Sequence, residues 1–236
     1  MVRAVLASST FEQHLAEFCD EGTPVLFVPH ALANHDGYAA YARRALAPRR
    51  VDSLHEQEDP VAAVDAAQAI FVGGGNTFRL LDQLQRLRVL LPLRRRVLRD
   101  NVPYLGSSAG TNLACPMIGT TNDLPIVNPS CGLEALAIVP FQINTHFFAG
   151  RPCFADDDAP DDHECRGGGT LACVQMYDGE TREDRLREYR EANPDVQVIV
   201  LPPDVALLVR DDEVVVAGGP AYTLAGDLVD VHVLRR

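Results

Sequence analysis

Short, unbroken apolar runs alternate along this chain with longer segments whose apolar residues return every three or four positions. The first runs are "VRAVLASS" (2–9), "TPVLFVPHA" (23–31), "AQAIFVGGG" (67–75) and "VPYLGSS" (102–108). Each is too short for a helix and lacks an in–out alternation, which predicts strands buried on both faces. Between them lie helical patterns: "FEQHLAEFCDEG" (11–22), "YAAYARRALA" (38–47), one long stretch "NTFRLLDQLQRLRVLLPLRRRVLRDN" (76–101), and "AGTNLA" (109–114). Strands separated by helices predict an α/β fold: a mostly parallel sheet with helices on both faces. Further strands are expected at "LAIVPFQIN" (136–144) and "VQVIVLPP" (196–203). "VALLVRDDEVVVAGG" (205–219) alternates around Asp211–Asp212 and predicts a C-terminal β-hairpin, with "DLVDVHVL" (227–234) closing a sheet edge. No repeat and no linker interrupts the pattern, so one domain over 1–236 is expected.

One stretch departs from it. "AGRPCFADDDAPDDHECRGGG" lies inside residues 147–177, is rich in Asp, Gly and Pro, and predicts a long acidic surface loop or lid. Cys153, His163, Cys165 and Cys173 fall there, but without the paired C-x₂-C spacing of a dependable zinc site, so no metal is expected.

Composition narrows the function classes. Apolar residues make up 47% and charged residues 23%, which is a folded rather than a disordered balance. The formal charge is −12, and all 21 basic residues are Arg. The only dense basic run, "PLRRRVLRD" (92–100), sits on a helical pattern and reads as a solvated face, so a nucleic-acid partner is not expected. No apolar run is long enough to span a membrane and no leader pattern opens the chain, which points to a cytoplasmic protein. Six Cys in a chain of this length do not suggest a disulfide framework; Cys19, Cys115 and Cys131 read as small core residues.

In parallel α/β sheets ligands lie at the carboxyl ends of the strands, and two such ends are unusual here. In "FVGGGNTFRLL" (71–81) three glycines free the backbone to present N–H groups. The spacing matches neither phosphate-loop pattern, which leaves nucleotide binding the weaker reading. In "YLGSSAGTNLA" (104–114) small residues surround two serines at a strand-to-helix bend. Gly106-Ser107-Ser108-Ala109-Gly110 fits G-x-S-x-G, with Ser108 as the nucleophile and the following N–H aimed at an oxyanion; a purely structural turn has the same composition. A serine nucleophile needs a base. Of the seven His, His146 stands out, because it ends a buried run in the polar cluster Gln142, Asn144, Thr145, His146. His30 follows a strand and is a lesser candidate, while His14 and His35 have nothing notable beside them.

"FVGGGNTFRLL", "GSSAGTNLA", "TNDLPIV", "PFQINTHF" and "GETREDRLREY" occur together and in order. This set resembles the dipeptidase E family, serine peptidases that cleave α-aspartyl dipeptides and are related to cyanophycinase. The resemblance covers roughly residues 65–220. It implies a flavodoxin-like fold similar to class I glutamine amidotransferases, with Ser rather than Cys at the elbow. It implies Ser108 as nucleophile, His146 as general base, and the N–H groups of Gly74, Gly75 and Ala109 as oxyanion hole. Asn76 and Asp123 match substrate-binding positions; a carboxylate at Asp123 suits a free α-ammonium. Arg182 matches the arginine that grips the substrate's aspartate, as a bidentate guanidinium can. Read without the family, Asp123 is a turn cap and Arg182 one of several arginines on a solvated helix. The resemblance implies no cofactor and a small peptide as substrate, and it leaves room for a homodimer.

Two features depart from the family. Its third triad member is a Glu just after a strand ending "LP"; here "VIVLPPDVALLV" puts Pro203 there, and a shift of one residue gives the role to Asp204, with Asn144 as a fallback. The segment between His146 and Arg182 is also longer than expected and carries Asp156, Asp157, Asp158, Asp161, Asp162 and Glu164. Such a segment over the pocket would disfavour acidic substrates. The expected function is therefore a serine exopeptidase removing an N-terminal aspartate, the alternatives being a broader aminopeptidase or a catalytically impaired binding protein.

Overall fold

The strands that carry the candidate site are β1 (Arg3–Ala7), β2 (Val25–Val28), β4 (Ala69–Val72) and β5 (Tyr104–Ser107), joined in one sheet by β3 (Val51–Ser53). These come from a computed structural model that describes residues 2–148, 153–155, 173–176, 179–225 and 227–236. The chain divides into two compact units, one of residues 1–146 with 197–236, the other of residues 147–196.

In the first unit the five strands run parallel in the order β3-β2-β4-β5-β1. Their register places Ala7 opposite Ser107, and Val72 opposite both Gly106 and Val28. The carboxyl ends of β1, β2, β4 and β5 therefore meet along one edge of the sheet, where this topology places ligands. The expected hairpin, β10 (Ala206–Arg210) and β11 (Glu213–Ala217), extends the sheet antiparallel to β1, with Asp211 at φ 55° in its turn. The segment 227–234 splits: β13 (Asp227–Val231) edges a second sheet and β14 (Val233–Arg235) edges the first. That second sheet has the order β13-β12-β9-β6, with β12 (Ala221–Ala225), β9 (Val198–Val200) and β6 (Gln142–Asn144).

Both faces of the main sheet are buried because its apolar residues face alternately. Leu6, Val28, Ile70, Val72 and Tyr104 pack with Leu80, Leu84, Leu93 and Leu113 on one face; Val5, Phe27, Phe71 and Leu105 pack with Phe18, Ala39 and Leu46 on the other. These helix residues belong to α1 (Leu15–Phe18), α2 (His35–Ala45), α4 (Thr77–Arg86), α5 (Leu90–Leu98) and α6 (Ala109–Leu113), and Leu46 caps α2.

Three expectations are corrected. The helix at 11–22 is a 3₁₀ turn at Glu12–His14 followed by the single turn α1. The stretch 76–101 is two helices, α4 and α5, with Arg88 at φ 59° between them. Pro92 is the reason: inside a continuous helix its ring would clash with the carbonyl of Arg88, whereas in the first turn of α5 it is tolerated. Cys131 is exposed, while Cys19 and Cys115 are buried as expected. The helix α3 (Pro60–Ala66) is an element beyond those expected, with a signal in the sequence: Asp59 caps it and Pro60 starts it.

The second unit contains β7 (Cys153–Ala155), β8 (Cys173–Met176) and α7 (Arg182–Ala192). The two strands pair antiparallel. Most of the stretch 147–177, expected to be a loop or lid, lies outside the described residues, including its acidic residues. No helix among the described residues is long and apolar enough to cross a membrane.

Candidate active site

Ser108 sits at the bend between β5 and α6 with φ 52° and ψ −106°, a conformation that costs a non-glycine residue about 1–3 kcal/mol. The small neighbours are what the bend requires. A Cβ on Gly106 would lie 2.7 Å from the backbone of Gly110, and one on Gly110 would lie 2.1 Å from the carbonyl oxygen of Val72 on β4. The strained turn is held by main-chain bonds: Ser108 N–H donates to the Ala7 carbonyl at 3.0 Å, and its own carbonyl accepts from Thr111 and Asn112 N–H, both at 2.9 Å.

The two serines differ in surroundings. Ser108 Oγ lies 2.8 Å from His146 Nε2. Ser107 is buried and its hydroxyl donates to the Ser9 carbonyl at 3.2 Å. His146 follows β6, has φ 54°, and donates its own N–H to Ser8 Oγ at 2.8 Å. The loop before it is locked by a pair of amides. Asn144 Nδ2 donates to the Thr120 carbonyl at 2.7 Å and to Asn122 Oδ1 at 3.0 Å, and Asn122 Nδ2 donates to the Thr145 carbonyl at 2.9 Å.

The glycine loop abuts Ser108. A Cβ on Gly74 would be 3.1 Å from Ser108 Cβ and 3.7 Å from Ser108 Oγ. Gly75 has φ 132°, and a Cβ there would strike the Ala31 carbonyl at 2.6 Å, so only glycine fits. No main-chain carbonyl among the described residues takes the N–H groups of Gly74, Gly75 or Ala109. The loop then enters α4 through Asn76, whose Oδ1 accepts from Arg79 N–H at 3.0 Å and whose Nδ2 donates to the Leu124 carbonyl at 2.8 Å. Asp123 anchors the same helix end. Its Oδ2 accepts from Thr77 N–H at 2.7 Å, Thr77 Oγ1 at 2.5 Å and Thr121 Oγ1 at 3.0 Å. Asn112 of α6 donates to Thr121 Oγ1 at 3.2 Å, linking the helix that follows Ser108 to this carboxylate.

Residues 5–217 match the model of Peptidase family S51. The chain belongs to that family. A Peptidase E of Streptomyces coelicolor is 44% identical over 203 residues, taking in 85% of this chain and 74% of that protein. A Drosophila melanogaster protein named "Probable alpha-aspartyl dipeptidase" is 46% identical over 167 residues, 70% of this chain and 60% of that one. A Peptidase E of Salmonella paratyphi A is 39% identical over 202 residues, 84% and 77% of the two chains. The fold is shared with a Peptidase E protein of Listeria monocytogenes EGD-e at TM-score 0.62, 20% identity and coverage of 93% and 99%. A peptidase from an acI-B1 actinobacterium gives TM-score 0.61 at 15% identity, with coverage of 100% and 97%. The molecule is thus a serine peptidase on a flavodoxin-like sheet.

The expectation that Asp204 orients the base of this S51 peptidase is not met by its position. Asp204 is exposed, its Oδ1 accepts from Thr10 Oγ1 at 3.1 Å, and no hydrogen bond among the described residues joins it to His146. The fallback, Asn144, spends its amide on Thr120 and Asn122 instead. The cause is local: Pro202 and Pro203 shape the chain after β9, and the Pro203 carbonyl is drawn to Ser9, leaving Asp204 at the surface.

Arg182 belongs to the second unit. It opens α7 behind Thr181, which forms a capping box with Asp184, and its guanidinium stands 4.6 Å from the ring centre of Phe148. Among the described residues no group of His, Cys, Asp and Glu is arranged to hold a metal ion.

Several residues near the catalytic edge carry no sequence signature. Tyr38 of α2 fills the space that a side chain on Gly73 would need, at 2.4 Å from its hydroxyl; burial pushes its pKa up to about 12, against the pull of the Gly74 backbone. His30, just beyond β2, is buried, and its pKa falls to about 4, chiefly from burial and then from His35 and His55. The three rings form a chain of tilted and edge-on contacts, His30 to His35 at 4.9 Å and His35 to His55 at 5.4 Å, and His55 reaches Asp36 Oδ1 at 3.0 Å. His35, with nothing notable beside it in the sequence, is the middle of that chain.

Proposed function

We propose that this S51 peptidase is an exopeptidase that releases an N-terminal aspartate from dipeptides or short peptides through an acyl-enzyme on Ser108. The observation that carries the reading is the 2.8 Å contact between Ser108 Oγ and His146 Nε2 on a strained elbow beside Gly74. The relatives named Peptidase E and alpha-aspartyl dipeptidase support it.

In this mechanism His146 Nε2 takes the hydroxyl proton as Ser108 Oγ bonds to the scissile carbonyl carbon. The N–H groups of Gly74, Gly75 and Ala109 receive the developing oxyanion, a contribution of about 2.7–4 kcal/mol for a single donor. Collapse of the tetrahedral intermediate breaks the C–N bond, and imidazolium returns the proton to the leaving amine. Water, deprotonated by His146, then attacks the ester and releases aspartate with Ser108 restored. Asp123 Oδ1, which accepts no hydrogen bond among the described residues, receives the substrate's α-ammonium, while Oδ2 stays on Thr77 and Thr121. Asn76 shapes the rim of the same pocket through its bond to Leu124. Arg182 pairs with the substrate's side-chain carboxylate.

The acidic sequence at 156–164 counts against that last preference on charge alone, and magnitudes decide between the two. Removing one partner of a desolvated Arg–carboxylate pair costs about 2–5 kcal/mol. Charges in water are screened within about 8 Å at physiological salt. Asp-Leu is therefore expected to be cleaved faster than Leu-Leu, and Arg182→Ala to lower kcat/KM for Asp-Leu by at least about 30-fold, the low end of that range, while changing Leu-Leu by less than a tenth as much. Steady-state kinetics on Asp-Leu, Glu-Leu, Leu-Leu and N-blocked Asp-Leu test this. Faster turnover of Leu-Leu by the intact enzyme establishes the broader aminopeptidase instead.

A further inference from the structure

The nucleophile and the base share an unusual condition. Ser108 and His146 both hold a positive φ, at 52° and 54°, and neither is glycine. Such conformations persist only where the surroundings impose them. In both cases the main-chain N–H is captured by the same short stretch at the end of β1. Ser108 N–H donates to the Ala7 carbonyl at 3.0 Å, and His146 N–H donates to Ser8 Oγ at 2.8 Å. Consecutive residues thus pin the two halves of the catalytic pair, and β1 acts as the fixed frame between them.

The two anchors differ in kind. Ala7 acts through its carbonyl, which any residue supplies. Ser8 acts through its side chain, which is fully buried. Its hydroxyl proton is committed to the Leu201 carbonyl at 3.1 Å, just past β9, so an oxygen lone pair faces the His146 N–H. Ser8 N–H is held separately by the Val205 carbonyl at 2.9 Å, so the strand end keeps its place without the hydroxyl. Asp204 and Asn144, the side chains expected to orient the base, are bound elsewhere.

We propose that Ser8 is a positioning residue that fixes His146 against Ser108 by holding the base's main chain; this rests on the assignment of Ser108 and His146 given above. The imidazole follows its backbone: without the Ser8 oxygen, the His146 N–H loses its acceptor, its positive φ loses that restraint, and Nε2 is expected to shift relative to Ser108 Oγ. A displacement of about 1 Å in such a pair costs on the order of 100-fold in rate.

The test is a double-mutant cycle read by the rate at which a fluorophosphonate acylates Ser108, with Asp-Leu kinetics beside it. Ser8→Ala is expected to slow labelling and kcat by about 10- to 100-fold, with KM within about twofold, and Ser8→Thr, which keeps the hydroxyl, to recover most of the loss. In a His146→Ala background the same change is expected to add less than twofold, because Ser8 acts through His146. Labelling by Ser8→Ala within twofold of the unaltered enzyme, or an equal loss in both backgrounds, overturns the proposal. If Ser8→Ala does not fold, Ser8→Cys takes its place: similar in size and a poorer acceptor, it is expected to be at least tenfold slower, and an unchanged rate again overturns the role. Failure of the unaltered enzyme to label at Ser108 is a different result, since it removes the nucleophile assignment itself.

Discussion

Ser108→Ala is expected to abolish peptide turnover, lowering kcat by a factor on the order of 10⁴–10⁶, while the protein remains folded. Alanine adopts the strained elbow at no greater cost than serine, and the bonds that hold the bend all come from main-chain atoms of residue 108. The partner change, Ser107→Ala, removes only a hydroxyl that donates to the Ser9 carbonyl. It is expected to cost roughly 1 kcal/mol of stability and less than about tenfold in kcat, a barrier change of about 1.4 kcal/mol. Steady-state kinetics with a thermal melt on each variant separate the two serines, and a reversal of their effects assigns the nucleophile to Ser107.

His146→Ala is expected to be nearly as damaging, and the Ser108→Ala/His146→Ala double variant little worse than either alone. Nucleophile and base act as a unit: without the base the hydroxyl keeps its proton, and without the hydroxyl the base has nothing to activate. What remains is the electrostatic contribution proposed for the glycine-loop N–H groups, which neither change touches. A double variant whose loss is the product of the single losses contradicts this, because it makes the two side chains independent.

The sheet and the edge that carries the candidate site were legible because they rest on signals with a direct physical cause. Apolar runs such as "VRAVLASS" and "VPYLGSS" must be buried on both faces, and small residues around Ser108 are forced by the 2.1 Å and 2.7 Å approaches of neighbouring backbone. The break at Pro92 was equally physical but was masked by the strong period on either side of it. Two kinds of information were not legible. Bonds between distant segments leave no local trace, so Ser8, which binds a residue 138 positions away, looked like the end of a strand. Register at single-residue precision was also hidden: Asp204 lay beside the expected position, yet Pro203 and Thr10 turn it to the surface. Asp123 fits the reading that composition suggests: its Oδ2 anchors the end of α4.

The central claim is that Ser108 is the activated nucleophile, and it is tested most directly by mapping a fluorophosphonate adduct. The folded protein is treated with the probe at neutral pH, digested, and the modified peptide sequenced by mass spectrometry. A single adduct on Ser108, formed in the unaltered protein and slowed strongly in His146→Ala, is the predicted result. An adduct on Ser107, or folded protein that stays unmodified while it cleaves Asp-Leu, contradicts the account.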